Sequence, residues 1–85
     1  MVTVIVRYFA GVAESAGVSE ETLQVEAGAA LADVIAILVE RHGEMFGMDL
    51  AVCALMVNGQ RFNEHDVLPE ALTVEIDALP PFAGG

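Results

Sequence analysis

"Leu31-Ala32-Asp33-Val34-Ile35-Ala36-Ile37-Leu38-Val39-Glu40-Arg41-His42" is where the period of the apolar residues changes in this chain. Leu31, Val34, Ile35, Leu38 and Val39 follow the i, i+3, i+4, i+7, i+8 stripe of an amphipathic helix with one buried face. Arg41 and His42 fall in the last turn, where cations suit the helix dipole, and Gly43 stands where the chain must leave the helix. The start is weaker. Ala29 or Ala30 takes the cap position, where a Ser or Thr would add about 1 kcal/mol.

On either side of this helix the residues alternate. "Val2-Thr3-Val4-Ile5-Val6-Arg7-Tyr8-Phe9" is β-branched and aromatic, with Val2, Val4, Val6 and Tyr8 on one face and Thr3, Ile5, Arg7 and Phe9 on the other. Both faces are partly apolar, which predicts a central strand covered on one side. Gly11, Gly17 and Ser19 then break the pattern as a long connection. "Glu21-Thr22-Leu23-Gln24-Val25-Glu26" resumes it as a half-buried second strand, so the two form a β-hairpin. Beyond the helix, "Val52-Cys53-Ala54-Leu55-Met56-Val57" reads as a buried strand closed by Asn58-Gly59, a tight-turn dipeptide. A short strand over 60–62 pairs back. "Leu72-Thr73-Val74-Glu75-Ile76-Asp77" alternates once more.

The order β-β-α-β-(β)-β, with one main helix to cover one sheet face, is an α+β roll. A central last strand, parallel to the first, would make the sheet mixed, as in the ubiquitin-like β-grasp. Periodicity does not separate that arrangement from other small α+β sheets. The expected organisation is one domain over 1–79 followed by an extended tail over 80–85.

Composition narrows the function classes. The chain has 85 residues, 55% of them hydrophobic, and a formal net charge of −10 from 13 acids against three basic residues, all arginine. Mean hydropathy is +0.60, which marks a globular chain. The acidic balance argues against a nucleic-acid or anionic-membrane partner, since both need neutralising cations, and favours basic protein surfaces. Surface acid also keeps so apolar a chain soluble. No apolar run approaches the ~20 residues of a membrane span. The start of the sequence shows no basic leader or cleavage pattern, and the one cysteine fits a reducing compartment, so the expected location is cytoplasmic.

The sequence ends "Leu79-Pro80-Pro81-Phe82-Ala83-Gly84-Gly85". Pro80 and Pro81 cannot continue a ladder, and each fixes φ near −65°, so the chain leaves the sheet stiff and extended. Gly84 and Gly85 lack a Cβ and fit a channel too narrow for side chains. Six residues reach roughly 20 Å. Such a tail presents a carboxylate to another protein's active site. A carboxylate is a poor electrophile and must first become an acyl-adenylate; with no phosphate-cradling loop in this chain, a partner must supply the ATP chemistry. Sulfide or persulfide attack on the adenylate would then leave a thiocarboxylate. A mobile, inert tail is the plainer alternative.

"Arg7-Tyr8-Phe9-Ala10", "Val57-Asn58" and "Pro80-Pro81-Phe82-Ala83-Gly84-Gly85", in this order and spacing, resemble the MoaD branch of the MoaD/ThiS sulfur-carrier family over essentially the whole chain. The resemblance implies a β-grasp fold and the role of small subunit of molybdopterin synthase, non-catalytic alone. It implies that Gly85 is adenylated and thiocarboxylated by an E1-like enzyme of the MoeB/ThiF type using ATP, with no cofactor bound by the chain itself. Pro80, Pro81, Phe82, Ala83 and Gly84 would thread the channel of a MoaE-type large subunit that holds cyclic pyranopterin monophosphate. Phe9, Leu79 and Phe82 would be apolar anchors at that interface. Two departures bear on partner choice. Ala13-Glu14 stands where Arg-Glu is frequent, and "Pro69-Glu70-Ala71-Leu72" replaces a Gly-Asp turn.

Other residues have plainer readings. Cys53, mid-strand, is expected in the core rather than as a relay thiol. "Asn63-Glu64-His65-Asp66" lacks metal-ligand spacing and is expected to be a solvated turn. His42 is expected at the surface, and "Met45-Phe46-Gly47-Met48" as a loop folded over the core. One cysteine excludes a plant-type iron–sulfur cluster. Competing functions are a carrier for another sulfur product, as in ThiS, a ubiquitin-like protein modifier, and a binding module with a passive tail.

Overall fold

The computed structural model describes residues 1–81. Strand β1 (Val2–Tyr8) leads into helix α1 (Ala10–Ala16) and strand β2 (Glu20–Val25). Helices α2 (Leu31–His42) and α3 (Glu44–Ala51) follow, then strands β3 (Ala54–Val57), β4 (Gln60–Phe62) and β5 (Thr73–Leu79). The sheet order is β2-β1-β5-β3-β4. β1 and β5 run parallel, with Val4 opposite Val74 and Tyr8 opposite Ala78, while every other pair is antiparallel. This is the mixed sheet of the β-grasp.

One face of the sheet carries the core. Val2, Val4, Val6 and Tyr8 of β1 and Val74, Ile76 and Ala78 of β5 pack against Leu31, Val34 and Leu38 of α2. The side chains of Thr3, Ile5 and Arg7 alternate onto the opposite face, where Arg7 Nε donates to Asp77 Oδ1 at 2.7 Å and its Nη2 to Glu75 Oε1 at 2.7 Å. Two ion pairs thus clamp the parallel strands on the face that no helix covers.

The stretch between β1 and β2 is a helix, not a plain connection. α1 buries Val12 and stops at Gly17, whose N–H donates to the carbonyls of Ala13 and Glu14. The Met45–Met48 stretch is likewise the body of α3, with Phe46 and Leu50 buried. Gly43 joins α2 to α3 at φ 96 and ψ 178, a region essentially restricted to glycine, and so allows two helices to abut without a loop. Gly47 permits their close approach, since a Cβ there would lie 3.3 Å from both Val39 methyl carbons. β3 begins at Ala54, because Val52 and Cys53 complete the turn out of α3. β5 runs two residues further than its alternation suggested, to Leu79.

The weak start of α2 is stabilised from elsewhere in the chain. The N–H of Leu31 donates to the Asp66 carbonyl at 2.9 Å and that of Ala32 to the Glu64 carbonyl at 2.7 Å. Asp33 Oδ2 accepts from the Ala30 N–H at 2.9 Å. The 63–66 turn therefore does the work of a capping side chain. Among the described residues no group of side chains could hold a metal ion, and no helix is long and apolar enough to cross a membrane.

Candidate functional site

β5 is the middle strand of five, held by β1 on one side and β3 on the other, and its last residue Leu79 still pairs with Ala54. Pro80 has no N–H to donate, so the ladder ends there. The chain therefore departs from the centre of the sheet, where pull on the tail is shared by two neighbouring strands. Pro80 is half-buried and Pro81 exposed. They form one side of a shallow cleft of about 160 Å³, lined also by Gly11 and Val12 of α1 and by Asp49, Val52 and Cys53 at and just beyond the end of α3. The two short helices absent from the sequence reading thus form the walls of the tail exit. Phe82, Ala83, Gly84 and Gly85 lie outside the described residues.

Phe9 and Leu79 come to the same rim. Each follows one member of the Tyr8–Ala78 pair, at the same end of adjacent parallel strands. Both are exposed, Phe9 at 42% and Leu79 at 37%. Phe9 leaves the sheet because Ala10 turns the chain through φ 51, a left-handed conformation that costs an alanine about 1–2 kcal/mol. That turn starts α1 and leaves the ring at the surface. Val52, 63% exposed, lines the same cleft as the prolines and adds a further exposed apolar side chain there.

Cys53 is half-buried rather than fully enclosed, and its Sγ donates to the Asp49 carbonyl at 3.3 Å. Burial, then the Asp49 charge, pushes its thiol above the ordinary range. It stays protonated near neutrality and is a poor nucleophile, as its apolar context suggested.

A half-buried polar cluster lies behind the rim and has no signature in the sequence. Tyr8 Oη donates to Glu21 Oε2 at 2.6 Å, His42 Nε2 lies 2.5 Å from the same oxygen, and Arg41 Nη1 donates to Glu21 Oε1 at 2.9 Å. His42 is not a surface residue. Its side chain is 15% exposed, and its ring packs 4.8 Å from that of Phe46, which Tyr8 meets edge-on at 5.5 Å. Burial raises the Tyr8 hydroxyl well above its usual range, and the Glu21 carboxylate adds to the shift. The cluster fixes the end of β1 one residue before Phe9. The pairing of β2 with β1 and the packing of the end of α2 on the sheet together assemble these residues, and no local motif announces it.

The model of the ThiS family matches residues 6–85. Among solved structures, the chain is similar to a Pyrococcus furiosus protein described as molybdopterin converting factor, subunit 1. Identity is 29% and TM-score 0.81, over 96% of this chain and 100% of that one. Subunits 1 and 2 of the molybdopterin-converting factor of Helicobacter pylori form a complex whose matching chain is 28% identical, with TM-score 0.67, over 98% of this chain and 99% of that one. The small archaeal modifier protein 1 of Haloferax volcanii, 21% identical, shares the fold at TM-score 0.77, over 96% of this chain and 100% of that one. No curated protein matches in sequence. The family match runs from inside β1, through every element that shapes the exit, to Gly85, and the chain belongs to the ThiS family.

Proposed function

We propose that this protein is a sulfur carrier whose Gly85 carboxylate becomes a thiocarboxylate and donates its sulfur to cyclic pyranopterin monophosphate in molybdopterin synthesis. The observation that carries the reading is the departure of the chain from the central strand at Leu79 into Pro80-Pro81, beside the exposed Phe9, and on toward Gly84-Gly85. Membership of the ThiS family and similarity to two molybdopterin converting factor subunits support it.

In this reading an E1-like partner transfers the AMP of ATP to the Gly85 carboxylate and releases pyrophosphate. Sulfide then attacks the acyl carbon and AMP leaves, so that C–S replaces C–O. A persulfide donor instead forms an acyl disulfide, whose S–S bond a second thiol of the sulfur-donating protein cleaves, releasing the thiocarboxylate and leaving a disulfide on the donor. Our chain supplies a substrate for that chemistry, not its catalysts. Pro80 and Pro81 aim the tail, the side-chain-free Gly84 passes the channel, and Phe9 and Leu79 dock at its mouth. The receiving protein is a MoaE-type large subunit, a partner supported by the H. pylori complex. We place these steps in the cytoplasm.

Intact mass is the test. After incubation with an E1-like activator, ATP and a sulfur donor, the chain gains the difference between one sulfur and one oxygen at Gly85, and a chain lacking Gly85 gains nothing. Absence of a gain with several such activators would reduce the tail to a docking element. The match to the ThiS family favours a second reading, a carrier for another sulfur product. In that case the thiocarboxylate forms, but a large subunit loaded with the pyranopterin yields no molybdopterin.

A further inference from the structure

α3 has two apolar faces, and the core uses only one. Phe46 and Leu50 are buried at 1% and 3%. Met45, Met48 and Val52, spaced i, i+3, i+7, share the opposite side and are 78%, 68% and 63% exposed. A helix that needed only to cover the core would carry polar residues there. Among the described residues nothing covers this stripe, and it is continuous with the tail exit, because Val52 lines the same cleft as Pro80 and Pro81. A protein that draws in the tail must close over this end of α3.

We infer that the Met45–Met48–Val52 stripe is a second docking surface for the large subunit that receives the tail, seating in an apolar hollow bordered by lysine or arginine; the inference rests on the carrier reading. Charge selects that occupant over a second copy of this chain. α1 and α3 carry Glu14, Glu44 and Asp49 and no basic residue. Two such surfaces facing each other would repel, whereas a basic rim would be attracted. Of the three arginines, Arg7 and Arg41 are held in ion pairs on other faces. That leaves Arg61 as the one arginine without an ion pair among the described residues, against a net charge of −10 on a second copy. Unbranched, polarisable methionine side chains suit a surface that must adapt to a separate protein. The stripe would hold the body of the carrier while the tail moves in and out.

The test compares the full-length chain with the double variant Met45→Arg/Met48→Arg, using the purified large subunit of the same organism in calorimetric titrations. Both side chains are exposed, so the variant should melt with the wild type. Its affinity for the large subunit should fall at least about tenfold, as at a contact hot spot. Its mass gain at Gly85 with the activator, ATP and sulfur donor should be unchanged. Equal affinity of variant and wild type, or no binding by the wild type, overturns the inference. So does a variant that loses activation but keeps the large subunit, which would assign the stripe to the activator. A wild-type dimer abolished by the variant would assign it to self-association. Failure of the carrier reading is separate, being the absence of any mass gain in the wild-type chain.

Discussion

Glu21 accepts from three side chains at once and is the polar residue on which the rim behind Phe9 depends. Burial alone would push its carboxyl up, but the hydrogen bonds from Tyr8, His42 and Arg41 outweigh it and hold the carboxyl below its ordinary value of 4.5. A carboxyl depressed in the folded state stabilises the fold above the unfolded value and loses that contribution as pH falls through the folded one. Glu21→Gln should therefore cost about 1–2 kcal/mol near neutrality, the scale of hydrogen bonds to a charged group. The gap between wild type and variant should close below about pH 4.5, as read by urea denaturation across pH. Ala10 makes the opposite case. Its φ of 51 is strained, so Ala10→Gly should raise stability by about 0.5–1 kcal/mol, less than the full strain because glycine also loosens the unfolded chain. A lower melting temperature would show that the turn is not strained.

At the scale of elements, the helices depend on their surroundings more than on their own sequences. α1 and α3 have seven and eight residues, too short to persist alone. They exist because Val12, Phe46 and Leu50 find the core. α2 owes its first turn to carbonyls of the 63–66 turn, and its junction with α3 to Gly43. Gly43→Ala would force a Cβ into a conformation that costs about 1–3 kcal/mol, and thermal unfolding should register that loss. As α3 forms a wall of the exit, the same variant should weaken partner binding beyond its effect on stability. Unchanged binding would mean that the exit does not need α3.

For the whole molecule the governing quantity is a net charge of −10, with two of three arginines already paired. Association with the proposed large subunit, through the basic rim inferred above, should be electrostatically steered. Its on-rate in stopped-flow mixing should fall several-fold as ionic strength rises from about 0.01 to 0.15 M, where the screening length shortens to roughly 8 Å. Dissociation, governed by the apolar contacts, should change far less. An on-rate indifferent to salt would remove the charge argument for both docking surfaces. Because β5 lies between two neighbours, the tail is anchored in the most stable part of the sheet, and docking can proceed without local unfolding.

The sequence by itself determined the strands, the long helix and the α+β class, and the prolines that end the last strand. Each is written in a local pattern: period two in Val2 to Tyr8 and in Leu72 to Asp77, period 3.6 from Leu31, prolines where the ladder stops. The tertiary structure alone decided where those pieces meet. His42, at a helix end, has the sequence context of a surface cation, and only the fold sets it against Glu21 of β2. Gly11 and Gly47 weakened the helical pattern of α1 and α3, which are stabilised by contacts far away in the chain. The exposed rim of Phe9, Leu79 and Val52 likewise required the β1–β5 register and the return of α3. Local preferences act over a few bonds and can be read in order. Burial and capping depend on which distant residues arrive, and that is settled only when the sheet closes on its helices.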